Sequence, residues 1–385
     1  MSISLPAHVN KVIAALQSRD YAAYGVGGCV RDLLLGNLPK DYDVTTNALP
    51  EEVKAIFPKN VETGIRYGTV TVFSDGEQVE VTTFRVEGPY EKNRRPSRVD
   101  FVRSLEEDLR RRDFAINAMA YNHHEGLIDL YGGLKDLEGK IIRCVGDPDA
   151  RFSEDALRML RAVRFACRYG FAIEENTKAA IIRNACLLKN ISAERIRAEL
   201  DGIIRAAGYG GMKMVYDLGL LPFIDGELPP LMEQAKDWGK YEKHSREPVL
   251  FYGILLDEAS IGILKKLKYS NKEIREISGL VLGKKLPLHT KIDMKRFLHR
   301  FGPAVLEKTL CLYGESFMNA IWDEIQVHKE CYRVKDLAVN GHDLLKIGIS
   351  PAQMGKTLDW LLDRVIEDST LNQKEKLLSF AKETI

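Results

Sequence analysis

Lys40-Asp41-Tyr42-Asp43-Val44-Thr45-Thr46 is the stretch on which the reading of this chain turns. In a strand, alternate residues share a face, so Asp41, Asp43 and Thr45 point one way while Tyr42 and Val44 enter a core. Two carboxylates on one strand face repel each other unless a cation sits between them. Hard oxygen ligands with open positions suit Mg²⁺, which keeps waters and binds substrate phosphates. A third carboxylate, Glu80, lies in Val79-Glu80-Val81-Thr82-Thr83-Phe84, on the face opposite Val79 and Val81. If that strand adjoins the first, Glu80 completes a two-metal site of the kind that promotes phosphoryl or nucleotidyl transfer. A bare Asp-x-Asp also occurs in solvated turns and in glycosyltransferases, so this stretch alone leaves the chemistry open.

Upstream lies Tyr24-Gly25-Val26-Gly27-Gly28-Cys29-Val30-Arg31-Asp32. A short apolar strand runs into Gly27-Gly28, and a helix follows with Arg31 in its first turn. Glycine there lets the backbone approach a ligand closely, and the free N–H groups of the helix start favour an anion such as a triphosphate. Gly28 and Arg31 are the candidates for that grip, although a glycine pair in a tight turn is as often structural. Downstream, β-rich runs such as 68–73 and 79–84 alternate with helical stretches up to about residue 145. Beyond Asp149 the apolar spacing is almost entirely helical, and no proline occurs between Pro148 and Pro222. The expected fold is α+β: a mixed α/β head (1–148), a helical neck (149–225), and a helical body and tail (226–385). The prolines of 226–231 block a helix there and mark the joint.

The chain has 385 residues, with 45% hydrophobic and 29% charged side chains, which excludes a disordered or collagen-like protein. No run approaches the roughly 18 apolar residues of a membrane helix, and the N-terminus lacks the charged-then-apolar order of a signal peptide. Six scattered cysteines form no Cys-x-x-Cys pair, which fits a cytoplasmic protein with reduced thiols. The net charge of +1 conceals an uneven distribution. Residues 92–112 carry eight basic and four acidic side chains, and residues 265–300 carry eleven and three. The second band, with Lys265, Lys266, Lys284, Lys285, Lys295 and Arg296, is the candidate surface for an RNA backbone.

The pattern Gly-Gly-Cys-Val-Arg-Asp followed by Lys-Asp-Tyr-Asp-Val-Thr-Thr resembles the signature of the tRNA nucleotidyltransferases that add CCA. It is also similar to that of the bacterial poly(A) polymerases of the polymerase-β-like superfamily. The resemblance continues through 111–118 (Arg-Arg-Asp-Phe-Ala-Ile-Asn-Ala), 146–148, 151–158 and 191–197. The C-terminal third matches in length and helical character only. Ala115 departs from the family's threonine. The resemblance implies a polymerase-β-like head, Asp41 and Asp43 as metal ligands with Glu80 beside them, and Mg²⁺ as cofactor. It also implies that Arg112 and Asp113 contact the phosphate and ribose of the nucleotide. In the family, the segment between Phe84 and Asp113 matters for switching to the final adenosine. Here that segment is full length and, with Gly88, Pro89 and Pro96, reads as a mobile loop. A capping box at Ser104–Glu107 then opens a helix.

Residues 154–168 read as one amphipathic helix. Ala156, Met159, Leu160, Val163, Ala166 and Cys167 form its buried stripe, and Arg158, Arg161, Arg164 and Arg168 band its other side. Asp155 and Arg158, three apart, should sit side by side. Cytosine and adenine each offer an amino donor beside a ring-nitrogen acceptor, which a carboxylate and a guanidinium complement. Uracil and guanine reverse that order, leaving buried charge unpaired at a cost of several kcal/mol. The pair therefore selects C and A without a nucleic-acid template, in agreement with the role that the resemblance implies. Arg161 and Arg164 would hold phosphates or orient the pair. The expected activity is CCA addition to the tRNA 3′ end from CTP and ATP. Rivals are an A-only tRNA enzyme, a poly(A) polymerase and, from another class, a non-catalytic RNA-binding protein. Monomer and homodimer both stay open.

Overall fold

A computed structural model describes residues 3–88, 90–91, 95–96, 98–236 and 238–383. The chain divides into two compact units, Met1–Met232 and Glu233–Ile385. The segments expected as head and neck thus fall together in the first unit.

That unit opens with α1 (Ala7–Gln17), β1 (Ala23–Val26), α2 (Gly28–Leu34), β2 (Asp43–Thr46) and α3 (Pro50–Ile56). Then come β3 (Asn60–Gly64), β4 (Thr69–Ser74) and β5 (Glu77–Thr83). With β10 (Met119–Asn122) and β11 (Gly126–Asp129) they form a seven-stranded sheet of order β11-β10-β1-β2-β5-β4-β3. The β2–β5 pair is parallel and aligns Asp43 with Glu80; every other neighbouring pair is antiparallel. The pleat explains which side chains are buried. Val44, Val79 and Val81 join Val9, Val12, Ile13 and Leu16 of α1 in one core, with Tyr42 packed on it. Asp43 and Glu80 are thereby sent to the other face.

Between β5 and α4 (Leu105–Arg110) the structure departs from the expected loop. Here β6 (Arg85–Glu87) pairs with β9 (Val99–Phe101), and β7 (Tyr90–Glu91) pairs with β8 (Arg95–Pro96), both antiparallel. Gly88 lies between the two strand pairs, and its N–H donates to Arg98 O at 2.9 Å. Residues 89, 92–94 and 97, part of that expectation, lie outside the described residues. Ser104 caps α4 as anticipated.

The helical part comprises α5 (Gly133–Gly139), α6 (Pro148–Glu154), α7 (Leu157–Tyr169), α8 (Glu175–Asn184) and α9 (Ala193–Asp217). The single helix expected over 154–168 is broken. Asp155 has extended backbone angles (φ −134°, ψ 101°), and its carboxylate accepts the Leu157 N–H at 3.2 Å. A local turn around that side chain ends α6 and starts α7. The apolar stripe is otherwise as expected, with Met159, Leu160, Val163 and Ala166 buried. The joint at 226–231 differs too: Pro229 and Pro230 sit in the first turn of a helix, Leu228–Gln234. Proline is tolerated there because that turn's N–H groups have no intrahelical partner.

In the second unit the described elements are all helical. His342-Asp343 belongs to a helix start, where Asn340 accepts both of their N–H groups. All six cysteines are free, and among the described residues no helix is long and apolar enough to cross a membrane.

Candidate active site

The acid cluster is set by strand pairing. Asp43 heads β2 opposite Glu80, while Asp41 lies in the exposed bend just before the strand rather than within it. Burial pushes the Asp43 carboxyl up to about 6; the Arg112 guanidinium opposes this, and Glu80 and Asp41 add to it. A buried carboxylate with two like charges nearby is short of positive charge, which fits a cation held by hard oxygens. Among the described residues no three metal-ligating side chains form a ready-made cluster. An ion here would complete its shell with water or substrate oxygens.

The backbone constraint at the glycine turn falls on Gly27 rather than Gly28. Gly27 has φ 74° and ψ −124°, and a Cβ there would lie 2.8 Å from Arg112 Nη1. At Gly28 a Cβ would meet only Arg31 Nη2, at 3.5 Å. Arg112 therefore lies against the turn as well as within electrostatic reach of Asp43. Its Nη2 contacts Asp108 at 3.3 Å, and among the described residues its buried Nε has no hydrogen-bond partner. Asp108 is fully buried and also binds Arg111 (2.8 Å) and the Thr45 hydroxyl (3.2 Å). Nothing in the charged run 106–112 marks it out in the sequence.

Arg31, expected to present a free charge to an anion, is 4% exposed. It is held by Asp32 (2.8 Å) and by Asn117 Oδ1, and lies over the rings of Phe165 and Tyr169. Asp113 is also internal. Its Oδ2 accepts two N–H groups of Arg161 (2.7 and 2.9 Å), and its Oδ1 accepts from Asn117 (3.0 Å). Burial alone would push this carboxyl up, but Arg161, Asn117 and Arg158 outweigh it and hold it at about 2. Ala115, at the family's threonine position, is buried, and its N–H donates to Arg143 O at 2.9 Å.

The arginine band of α7 is largely engaged within the protein, with Arg168 alone among its four members exposed. Arg161 pairs with Asp113 and Arg164 with Glu199 of α9 (2.6 Å), while Arg168 approaches Asp32 at 3.7 Å. Arg158 donates to Glu154 (2.6 Å) and to Arg111 O (3.1 Å). Asp155 pairs with Arg195 of α9 (2.7 Å) instead of with Arg158. The two expected base readers are thus close in the chain but held by different partners. Their partners, Arg195 and Glu154, and the Arg164 partner Glu199 are not among the residues expected from the sequence. Arg195 and Glu199 are four apart and share a helix face, a signal present in the sequence.

The basic band of the second unit is largely paired. Lys295 is buried against Glu330 (3.0 Å), and Arg296 binds Asp363 (3.1 Å) and Glu367 (2.7 Å). Lys285 meets Glu258 at 3.3 Å. Lys284 donates to the carbonyls of Ile254 and Leu256, capping a helix end. Lys265 and Lys266 are exposed.

An acid cluster beside an arginine with a spare donor, on a mixed sheet that continues into a helical neck, defines a nucleotidyltransferase. Residues 23–143 match the family described as "Poly A polymerase head domain". Residues 170–228 match "Probable RNA and SrmB- binding site of polymerase A", and residues 249–381 match tRNA nucleotidyltransferase domain 2. The CCA-adding enzyme of Lacticaseibacillus paracasei is 39% identical over 97% of this chain and 95% of its own. That of Latilactobacillus sakei is 40% identical, over 96% of both chains. The crystal structure of the Bacillus stearothermophilus CCA-adding enzyme in complex with CTP superposes with a TM-score of 0.79 at 32% identity, covering 98% of this chain and 96% of the other. The chain belongs to the CCA-adding enzymes, a metal-dependent family of tRNA nucleotidyltransferases.

Two predictions follow from the geometry. Gly27→Ala should cost about 1–3 kcal/mol because its backbone region is closed to side chains. Gly28→Ala should cost less than about 1 kcal/mol, since its added methyl makes only an ordinary contact; urea unfolding of the pair measures the difference. For Asp113, the folded value of about 2 lies below the ordinary 3.8. Its stabilisation is full above about pH 4 and is lost as pH falls through 2, amounting to about 2 kcal/mol. Asp113→Asn should flatten the acid limb of a stability-versus-pH curve by that amount.

Proposed function

We propose that this chain adds C, C and A to the 3′ end of tRNA, taking CTP and ATP and releasing pyrophosphate. The observation that carries the reading is the acid cluster: parallel pairing sets Asp43 opposite Glu80 with Asp41 beside it. Asp41 and Asp43, assisted by Glu80, would hold Mg²⁺. That ion supplies charge neutralisation for the phosphates and lowers the pKa of the attacking hydroxyl.

The remaining work falls to the protein. Arg112, with its unpartnered Nε, offers a donor to the triphosphate beside the Gly27 turn. Asp155 accepts from the amino group of C or A, and Arg158 donates to the neighbouring ring nitrogen. Arg195 and Glu154 hold the two side chains through ion pairs of 2.7 and 2.6 Å. Arg31, Asp113, Arg161 and Arg164 act on this reading by position, since each is engaged within the protein. Lys265, exposed on the surface of the second unit, is the part of the C-terminal band offered to an RNA backbone on this reading.

Labelled CTP and ATP, Mg²⁺ and tRNA lacking its last three nucleotides test the proposal. The expected product gains two C and one A and stops. Incorporation of A only onto tRNA ending in CC would indicate an A-adding enzyme, long A tails a poly(A) polymerase, and no incorporation a binding protein. Asp43→Asn should lower the rate by at least about 10³-fold while tRNA binding persists; unchanged activity would refute the metal assignment.

A further inference from the structure

Side-chain bonds among α2, the segment between α4 and β10, and α7 close on themselves. Arg161, in the middle of α7, donates to Asp113; Asp113 accepts from Asn117; Asn117 accepts from Arg31. Arg31 donates to Asp32 Oδ1 at 2.9 Å, and the same oxygen accepts the Tyr169 hydroxyl at 2.9 Å. Tyr169 is the last residue of α7, so the circuit returns to the helix on which it began. The Arg31 guanidinium fills its interior, 5.3 Å from the Phe165 ring centroid and 4.9 Å from that of Tyr169. Arg161 and Tyr169 are eight residues apart, about 12 Å along the axis.

We infer that Tyr169 and Asn117 are positioning residues for nucleotide transfer, fixing the angle of α7 against the glycine turn and the acid cluster. Tyr169 and Arg168 attach the C-terminal end of α7 to Asp32, at 2.9 and 3.7 Å, while Arg158 and Arg161 bind Arg111 O and Asp113 nearer its start. Without the Tyr169 hydroxyl the hold of Asp32 on that end is reduced to the longer Arg168 approach, and α7 is freer to tilt about Arg161. A tilt of about 10° moves Arg158, one turn away, by roughly 0.8 Å and strains its bond to Arg111 O. The inference rests on the reading that α7 starts where the base is held and that the turn and Arg112 hold the triphosphate. One covalent molecule must then fit both ends at once, and misplacement of about 1 Å costs up to about 10²-fold in rate. Asn117 is the link through which the Asp113 attachment and the Arg31–Asp32 attachment share one geometry.

Tyr169→Phe removes the hydroxyl and keeps the ring over Arg31. Tyr24→Phe is its matched control, because the Tyr24 hydroxyl also donates to a carboxylate, Glu125, at 2.8 Å, away from the circuit. The expected result is a fall of about tenfold in kcat/KM for CTP and for ATP in Tyr169→Phe, with Tyr24→Phe unchanged. Inhibition by tripolyphosphate, which occupies only the head, should be the same in all three proteins. Asn117→Ala should lower kcat/KM as well, and the double variant with Tyr169→Phe should fall short of the product of the two effects, because both break one circuit. Wild-type kcat/KM in Tyr169→Phe, an equal fall in Tyr24→Phe, weakened tripolyphosphate inhibition or independent effects in the double variant would each overturn the inference. Absence of incorporation by the wild-type protein would instead overturn the proposed function.

Discussion

A carboxylate sealed from water stays ionised only if its surroundings supply the charge and hydrogen bonds that water would have given. At Asp113 they do, through Arg161, Asn117 and its neighbour's backbone N–H. Much of the first unit depends on this pair. Arg112 precedes Asp113 in the chain, so anchoring the carboxylate also places the guanidinium beside Gly27. Arg161 belongs to α7, whose next arginine binds Glu199 and thereby brings in α9. Removing one partner of such a pair leaves an uncompensated buried charge, typically costing about 3–5 kcal/mol. That asymmetry makes the contact between sheet and neck hard to loosen gradually.

The reacting end of the site has the opposite character, because its charges are left incomplete. Burial and two neighbouring carboxylates raise Asp43, and Arg112 keeps a buried donor without a partner among the described residues. On the proposed function, a cation and a polyphosphate arriving together would answer both deficits at once. Charge that would be unfavourable alone on either side becomes complementary when both are present. On the same reading the internal pairs hold the frame, and the incomplete groups receive the ligands.

What the sequence revealed follows the range of the physics involved. Alternation around Asp43 and Glu80 is local, so the faces of β2 and β5 were legible; their adjacency was stated only as a condition. The apolar stripe of α7 was legible for the same reason. The break at Asp155 was not, because it depends on one carboxylate capturing the Leu157 N–H, which competes with continued helix. The strand pairs 85–87 with 99–101 and 90–91 with 95–96 are not legible because Gly88 and two prolines dominate the composition there. Two adjacent glycines do not show which of them has the positive φ, which the structure gives to Gly27. The family pattern marks Asp113 and the helical spacing marks Arg161, but neither shows that they bind each other.

The arginine band shows why sign counting along a helix fails when partners come from elsewhere. No acidic residue follows Asp155 within the helix, which suggested positive charge offered outward. Arg158 finds Glu154 just before Asp155, and the other partners, Asp32, Asp113 and Glu199, are distant in the chain. For the base readers this has a consequence for selectivity. Asp155 and Arg158 are already satisfied by Arg195 and Glu154 before any base arrives. A correct base then gains little net affinity, since its hydrogen bonds replace or share existing ones. A wrong base still carries the full penalty, because it disturbs satisfied charges and sets donor against donor and acceptor against acceptor. On this reading discrimination comes mainly from rejecting U and G, and binding strength is left to the triphosphate and the acid cluster.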